Sequence, residues 1–298
     1  MISRNQIRQS TLQYLYAASQ AHDELHPLDE GIWSIILECP AKKIVKLTSK
    51  ALANVLTRGF EDRLRLFTTR AHQTIEILRD NALTLDIRDK LMDILAKEGE
   101  FQASLLQLRK LVAKNTTDER NELSVACRQL QDLNATLIPM RERLVASFSD
   151  FPSYKETAWA AMTAACRKMQ EANLRIASIT TNDATKIIPE VKAIREAQAD
   201  LNLLTNEAKA LSADIIRNLA QIDALIDSKL ENYTPERIDA MDRNILRLST
   251  YELLYRRDLA TPIIVSEAIA LATDYSNTEA PRFINGILAG IAKEIRPE

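Results

Sequence analysis

The sequence predicts an all-α protein, and three observations support that prediction. The chain contains only five glycines, far below the usual share of about 7%, so tight turns and glycine-rich phosphate loops are scarce. Aromatic residues make up 5% of the chain and runs of β-branched residues are short, which disfavours a sheet. Most segments instead carry apolar residues at steps of three and four, the helical period.

The apolar period places the helices in order along the chain. Ser3 and Gln6 have capping-box spacing and open a first helix, which ends before Pro27. A short apolar helix is predicted over residues 28–38, and Pro40 is expected to end it. Longer amphipathic helices are then predicted near 41–57, 60–80, 85–114, 118–147, 154–180 and 187–231.

Capping patterns support several of these helix boundaries. Segments 116–119 and 153–156 have capping-box spacing. The last long helix has coiled-coil character and is predicted to run unbroken until Pro235. Short helices follow, with Thr-Pro pairs at 234–235 and 261–262 as helix starts.

The charge and the cysteine content limit the functions that the protein can have. The net charge is −2 and the pI is near 6.1, so any nucleic-acid binding must use a local basic patch or the charges of a partner. The sequence predicts neither a transmembrane helix nor a secretory signal. Cys39, Cys127 and Cys166 are far apart and odd in number. We expect buried free thiols in a reducing cytosol, and therefore a cytoplasmic protein.

Catalytic and metal-binding motifs are not found. The sequence has no nucleophile elbow, P-loop or dinucleotide fingerprint, so we expect neither an enzyme nor a cofactor. The segment HDELH at 22–26 holds two histidines four residues apart. The zincin motif needs glutamate directly after its first histidine, and the only other histidine is His72. We interpret HDELH as structural and expect no metal.

Two segments resemble one known family. Residues 242–288 contain DRNILRLSTYEL, a Thr-Pro helix start, SEAIALA and RFINGIL, in that order. This part of the chain resembles the carboxyl-terminal half of the NusB family of bacterial transcription antitermination factors. The opening segment SRNQIRQSTLQYLY resembles the first NusB helix. Serine at position 266 departs from the asparagine that is usual in the family.

The resemblance implies a function and a set of site residues. NusB-like domains are all-helical and bind single-stranded boxA RNA of ribosomal RNA operons together with the ribosomal protein NusE, in the transcription elongation complex. The resemblance implies RNA contacts for Arg4, Arg8, Tyr16 and Glu279, and a partner contact for Asp242. It places these residues in the core: Leu246, Leu248, Tyr251, Leu253, Phe283, Ile284 and Leu288.

The resemblance covers only the two ends of the chain. It extends over residues 3–38 and about 196–297, and leaves a length typical of one domain between them. We therefore predict a NusB-like helical domain in two parts, 1–38 and 196–298. A long-helix insertion domain of coiled-coil character, 39–195, interrupts it.

A lysine stripe in the insertion has two interpretations. The arginine cluster that the family carries on its first helix is reduced here to Arg4 and Arg8, so fewer phosphate contacts are available. Lys42, Lys46 and Lys50 lie four residues apart, on one face of a predicted helix. They form either the solvated side of an amphipathic helix or a replacement contact to RNA.

Three functions are compatible with these features. The resemblance favours an RNA-binding antitermination factor. A helical protein–protein adaptor that uses a NusB-like scaffold without RNA activity is the alternative. A third possibility is the RNA-docking domain of a ribosomal RNA methyltransferase, which would require a glycine-rich cofactor loop that this chain does not contain.

Overall fold

The regular structure of the protein is helical. A computed structural model describes residues 2–21, 25, 27–55, 59–79, 82–114, 120–151, 159–181, 189–230 and 238–296. Within these ranges every regular element is a helix and none is a strand, which confirms the predicted all-α class. The helices form because apolar residues recur at steps of three and four and give each helix a side that can be buried.

The chain forms two compact units. Unit 1 comprises Met1–Pro40 and Ala199–Glu298, and unit 2 comprises Ala41–Gln198. The predicted division into 1–38, 39–195 and 196–298 stays a prediction as to which parts form a NusB-like domain. Its limits lie beside those of the two units.

The helices are numbered in chain order. Unit 1 contains α1 (Arg4–Ala21), α2 (Ile32–Ile36), α9 (Leu219–Asp227), α10 (Ala240–Tyr255), α11 (Thr261–Tyr275) and α12 (Ala280–Ile295). Unit 2 contains α4 (Phe60–Ile77), α5 (Leu85–Lys114), α6 (Arg120–Ser147) and α7 (Ala160–Thr181). The unit boundaries fall inside α3 (Glu38–Val55) and α8 (Pro189–Arg217).

Helix α10 lies at the centre of unit 1. It packs against α1, α9, α11 and α12, so both ends of the sequence contribute to one core. The core predictions are confirmed, since the predicted side chains are buried and Phe283 is partly buried against the same cluster. The fully or almost fully buried members are Leu246, Leu248, Tyr251, Leu253, Ile284 and Leu288.

A second, smaller cluster in unit 1 seats α2. The rings of Tyr14 and Trp33 stack with centroids 4.7 Å apart, and the backbone amide of Leu28 donates to the Tyr14 hydroxyl at 2.9 Å. Leu204 and Ala208 of α8 are buried in the same cluster. The segment before α2 is therefore held to α1 at Leu28, and α2 itself is held at Trp33.

Unit 2 is a bundle with its own core. Helix α6 packs against α5 and α7, and α4 packs against α5 and α7. Large side chains fill the space between them, with the rings of Phe60 and Phe101 5.6 Å apart and those of Phe148 and Trp159 stacked at 4.4 Å. Unit 2 thus has a hydrophobic core separate from that of unit 1.

A buried polar network crosses the unit 2 core. Arg141 is 1% exposed, is paired with the buried Glu98, and donates to Asn173 Oδ1 at 2.5 Å. Its guanidinium lies 5.5 Å from the centre of the Phe67 ring. Burial raises the pKa of the nearby Cys166 thiol to about 12, a rise that the Arg141 charge opposes. Such a network, once its members are paired, favours one helix arrangement over its alternatives.

Several predicted helix boundaries need correction. The helix predicted over 187–231 is divided at Asn218, where the backbone leaves the helical angles (φ −103°, ψ 14°). The backbone amide and the side-chain amide of Asn218 both donate to the carbonyl of Asp214. Pro40 does not stop a helix; it lies in the first turn of α3, where its missing amide proton costs little. At the Thr261-Pro262 pair the helix starts as predicted, but Ala260 is the N-cap.

The prediction of buried thiols is wrong for Cys39, which is exposed in the first turn of α3. It is confirmed for Cys127 and Cys166, which are buried. The HDELH segment, except Leu25, lies outside the described residues, as do the predicted capping patterns at 116–119, 153–156 and 234–235.

None of the described helices has the length and apolar character needed to cross a membrane. In the described parts of the chain, no group of His, Cys, Asp and Glu is arranged to hold a metal ion.

Candidate functional site

Arg8 fastens α1 to the rest of unit 1. It is 3% exposed, and its Nε donates to Glu252 of α10 at 2.9 Å. Its Nη1 lies 3.2 Å from Glu267 of α11. Burial raises the pKa of the Glu252 carboxyl above its ordinary value, and the Arg8 charge opposes that rise. The side chain predicted to contact RNA is thus directed inward, and its role in this structure is to position α1.

Arg4 remains at the surface, one helical turn before Arg8. Its guanidinium is exposed and lies 3.6 Å from the carboxylate of Asp258. Arg4 and Arg8 line the same cleft of unit 1, with a volume of about 200 Å³, whose walls include Tyr251 and Arg256. In this cleft Arg8 Nη2 has no hydrogen-bond partner among the described residues. The two predicted arginines are therefore brought together, one exposed and one buried.

The outer face of α1 carries amides and one aromatic ring. Tyr16 is 37% exposed, and Gln6, Gln9, Gln13 and Gln20 share its face at steps of three and four. Gln9 is half-buried and the other three are exposed. The predicted capping box is confirmed, since the Ser3 amide donates to Gln6 Oε1 at 3.0 Å and the Gln6 amide donates to Ser3 Oγ at 3.2 Å.

The glutamines were not among the predicted site residues. Their spacing was the available signal, because steps of three and four from Tyr16 place them on one helical face. Each amide both donates and accepts hydrogen bonds. An exposed ring flanked by such groups can stack on a base and bond to its edges.

Asp242 lies in the interior of unit 1. Its side chain is in the first turn of α10, is 6% exposed, and accepts a hydrogen bond from Ser276 Oγ at 2.6 Å. Burial raises the pKa of its carboxyl, and the Ser276 hydrogen bond opposes the rise. The residue predicted to face a protein partner thus joins the start of α10 to the end of α11.

Glu279 is exposed at the start of α12 and makes no side-chain cap bond. Asn277 caps this helix instead, because its Oδ1 accepts from the backbone amides of Glu279 and Ala280 at 3.0 Å each. The Glu279 carboxylate is therefore directed at solvent. None of the hydrogen bonds or ion pairs described for Asp242 and Glu279 reaches α1.

Two arginines of the DRNILRL segment are paired within unit 1. Both Nε and Nη2 of Arg247 lie 2.8 Å from the carboxylate oxygens of Asp223. Arg243 Nη1 lies 3.0 Å from Asp227 Oδ1. These pairs hold α10 to α9, so neither arginine is directed at the surface as a phosphate ligand.

The predicted lysine stripe lies on the part of α3 that belongs to unit 2. Lys46 and Lys50 are exposed and Lys42 is half-buried, at successive turns of the helix. On the opposite side of α3, Leu52 is completely buried in the unit 2 core. Apart from Glu38 the helix has no acidic residue, so this face is uniformly positive.

Comparison with known proteins identifies the relatives of this chain. It is 41% identical over 104 residues to the transcription antitermination protein NusB of a Nocardioides species, a match that covers 35% of this chain and 77% of that protein. This chain belongs to the NusB family. The family model of NusB matches residues 158–293.

Other NusB proteins match the chain over a similar length. The NusB of Thermotoga sp. (strain RQ2) is 42% identical over 92 residues, which is 31% of this chain and 65% of the relative. The chain therefore spans less than two thirds of that NusB. A solved structure of T. maritima NusB is 32% identical and covers 39% of this chain and 82% of its own, with a TM-score of 0.30.

The match to the NusB family model includes only some of the candidate residues. Asp242 and Glu279 lie inside the matched range, whereas Arg4, Arg8 and Tyr16 precede it. The family-model match therefore gives no direct support to the candidate residues of α1.

Replacing Arg8 with methionine should destabilise unit 1 by about 3–5 kcal/mol at pH 7, because Glu252 would keep a buried, unpaired charge. The loss should shrink at acidic pH. A carboxyl with a raised folded-state pKa contributes stability fully below its ordinary pKa of about 4.3, and that contribution is lost as the pH rises through the folded-state pKa. Urea unfolding between pH 4 and pH 7, followed by Trp33 fluorescence in a Trp159→Phe background, measures the effect.

Two control variants make this measurement specific. Arg4→Met makes the same change at an exposed arginine and should alter the free energy of unfolding by no more than about 0.5 kcal/mol. Adding Glu252→Gln to Arg8→Met should remove most of the pH dependence, since the carboxyl that then lacks Arg8 is that of Glu267, which is partly exposed and still accepts a hydrogen bond from Asn5. A loss of stability that is equal at all pH values would contradict the role given to the Arg8–Glu252 pair.

Proposed function

We propose that this protein is an RNA-binding transcription antitermination factor that acts on ribosomal RNA operons by binding boxA leader RNA together with the ribosomal protein NusE. Membership of the NusB family supports the antitermination role. The observation that carries the proposal is the exposed face of α1, where Tyr16 lies among glutamines. This function places the protein in the cytoplasm, with the transcription elongation complex.

In this proposal α1 has two sides with different tasks. The inner side is held by Arg8, which sets the rotation of the helix. On the outer side, Tyr16 stacks on an unpaired base, and Gln13 and Gln20 bond to base edges. Arg4 supplies a phosphate contact at the amino-terminal end of the helix.

The remaining candidate residues complete the surface. The exposed carboxylate of Glu279 accepts a hydrogen bond from an RNA base, as a carboxylate can from the amino group of cytosine. Asp242 acts through the fold, by holding the α10 and α11 ends that would face NusE. A net charge of −2 gives little attraction for phosphates, which favours an RNA complex completed by a basic partner.

The protein–protein adaptor without RNA activity is the second candidate function. It is favoured by the burial of Arg8, since only one of the two predicted phosphate ligands on α1 remains at the surface. The two functions differ in whether the chain adds to RNA binding when NusE is present.

Gel-shift titration of labelled boxA RNA tests the proposal. The RNA is titrated with this protein, with NusE and with both, and a scrambled RNA of the same length is the control. We expect tight, sequence-dependent binding with both proteins and weak binding with either alone. If this protein adds nothing to the binding by NusE, the RNA proposal fails and the adaptor function is favoured.

Replacing Tyr16 with alanine should weaken boxA binding in the presence of NusE by about 1–3 kcal/mol, the contribution of one base stacked on an aromatic ring. The measurement is the RNA dissociation constant at fixed salt. Tyr16→Phe keeps the ring and should bind within about twofold of the wild type, because stacking does not need the hydroxyl. Equal losses in the two variants would exclude stacking as the role of Tyr16.

Reversing the charge of Lys42, Lys46 and Lys50 together to glutamate should weaken RNA binding and flatten its dependence on salt, because each lost phosphate contact lowers the salt slope by about 0.7–0.9. Arg128, Arg143 and Lys168, exposed on α6 and α7, give a control with the same total charge change. An unchanged affinity at low salt, or an equal loss in the control, would show that the stripe is only a solvated helix face.

A further inference from the structure

One line of exposed residues along α5 in unit 2 is mostly apolar. Leu85, Met92 and Leu106 are 41%, 54% and 48% exposed. They belong to a line of exposed residues at alternating steps of three and four, which we call the α5 stripe. Its members are Leu85, Asp89, Met92, Ala96, Gly99, Ala103, Leu106, Lys110 and Ala113.

Charged residues border the α5 stripe, since Asp86, Asp93 and Glu100 are also exposed on α5, as expected for an amphipathic helix. Contiguous exposed apolar residues usually mark an interaction surface. Steps of three and four along such a surface are the seam pattern of helices that pack along their length.

The α5 stripe is symmetric about Gly99. Met92 and Leu106 lie seven residues to either side of it, and Ala96 and Ala103 lie three and four residues away. Asp89 and Lys110, which have opposite charges, lie ten and eleven residues away. With a rise of about 1.5 Å per residue, the charged ends are each about 15 Å from Gly99.

We propose that the α5 stripe is a self-association surface, on which α5 of a second copy of this chain packs in the antiparallel direction. A two-fold axis at Gly99 brings Met92 beside the partner's Leu106 and Asp89 beside the partner's Lys110. Each contact is made twice, as in an isologous interface. A parallel arrangement would instead place like charges together at both ends.

Gly99 itself supports a close approach of this kind. A glycine inside a helix costs about 1 kcal/mol relative to alanine. Nothing in the described parts of the chain requires it, since a β-carbon at Gly99 would meet no atom within 4 Å. Small residues at 96, 99 and 103 let the backbone of a second helix come near, which is a use for this glycine that the single chain does not provide.

The area that the α5 stripe can bury sets the expected affinity of the dimer. One pair of helices buries less than the roughly 1,600 Å² of a standard stable interface. We therefore expect a dimer that forms at micromolar concentration and dissociates on dilution, not an obligate one.

Sedimentation equilibrium of the full chain tests the proposal. The wild type should show a concentration-dependent dimer, and Gly99→Arg should raise the dimer dissociation constant by at least about tenfold. Ala135 on α6 is exposed and small, so Ala135→Arg is the matched control and should leave the dimer unchanged. Circular dichroism checks that both variants remain folded. A wild type that stays monomeric over the whole range, or equal loss in both variants, overturns the proposal.

Charge reversal tests the antiparallel orientation. Asp89→Lys and Lys110→Asp should each weaken the dimer, because each places like charges across the axis. The double variant Asp89→Lys/Lys110→Asp restores both opposite-charge pairs and should recover most of the wild-type affinity. Failure of the double variant to recover overturns the two-fold arrangement at Gly99.

Discussion

The buried pairing of Arg8 with Glu252 and Glu267 is the interaction on which the proposed RNA surface depends. It joins residues 244 positions apart in the sequence and connects α1 to α10 and α11 at once. A buried arginine is tolerated only if carboxylates compensate its charge, so the rotation of α1 about its axis is fixed by chemistry as well as by packing. With Arg8 on the buried side of α1, Tyr16 lies on the exposed side of the same helix.

The arrangement of the cores explains how one chain can hold two compact units. The core of unit 1 is assembled from both ends of the sequence around α10. Unit 2 has its own hydrophobic core and its own buried polar network around Arg141. Since each unit buries its own apolar residues, the residues between the two ends need not contribute to the unit 1 core.

The sequence predicted the helices and the core well, because these depend on local period and burial. The bounds of α5 and the buried positions of α10 agree with the structure. The direction of Arg8 was missed, although steps of four and three place it on one face with Leu12 and Leu15. Its carboxylate partners come from distant segments, which no local pattern reveals. The break at Asn218 was also missed, because it is a change in the backbone angles of one residue, which the apolar period does not reveal.

In the proposed function the outer face of α1 contacts RNA while its inner face is fixed to unit 1. The most direct test is photo-crosslinking of boxA RNA that contains 4-thiouridine, in the presence of NusE, followed by peptide mapping of this chain. We expect crosslinks in the α1 peptide around Tyr16 that disappear when unlabelled boxA RNA competes. Crosslinks confined to other peptides, with none in α1, would contradict it.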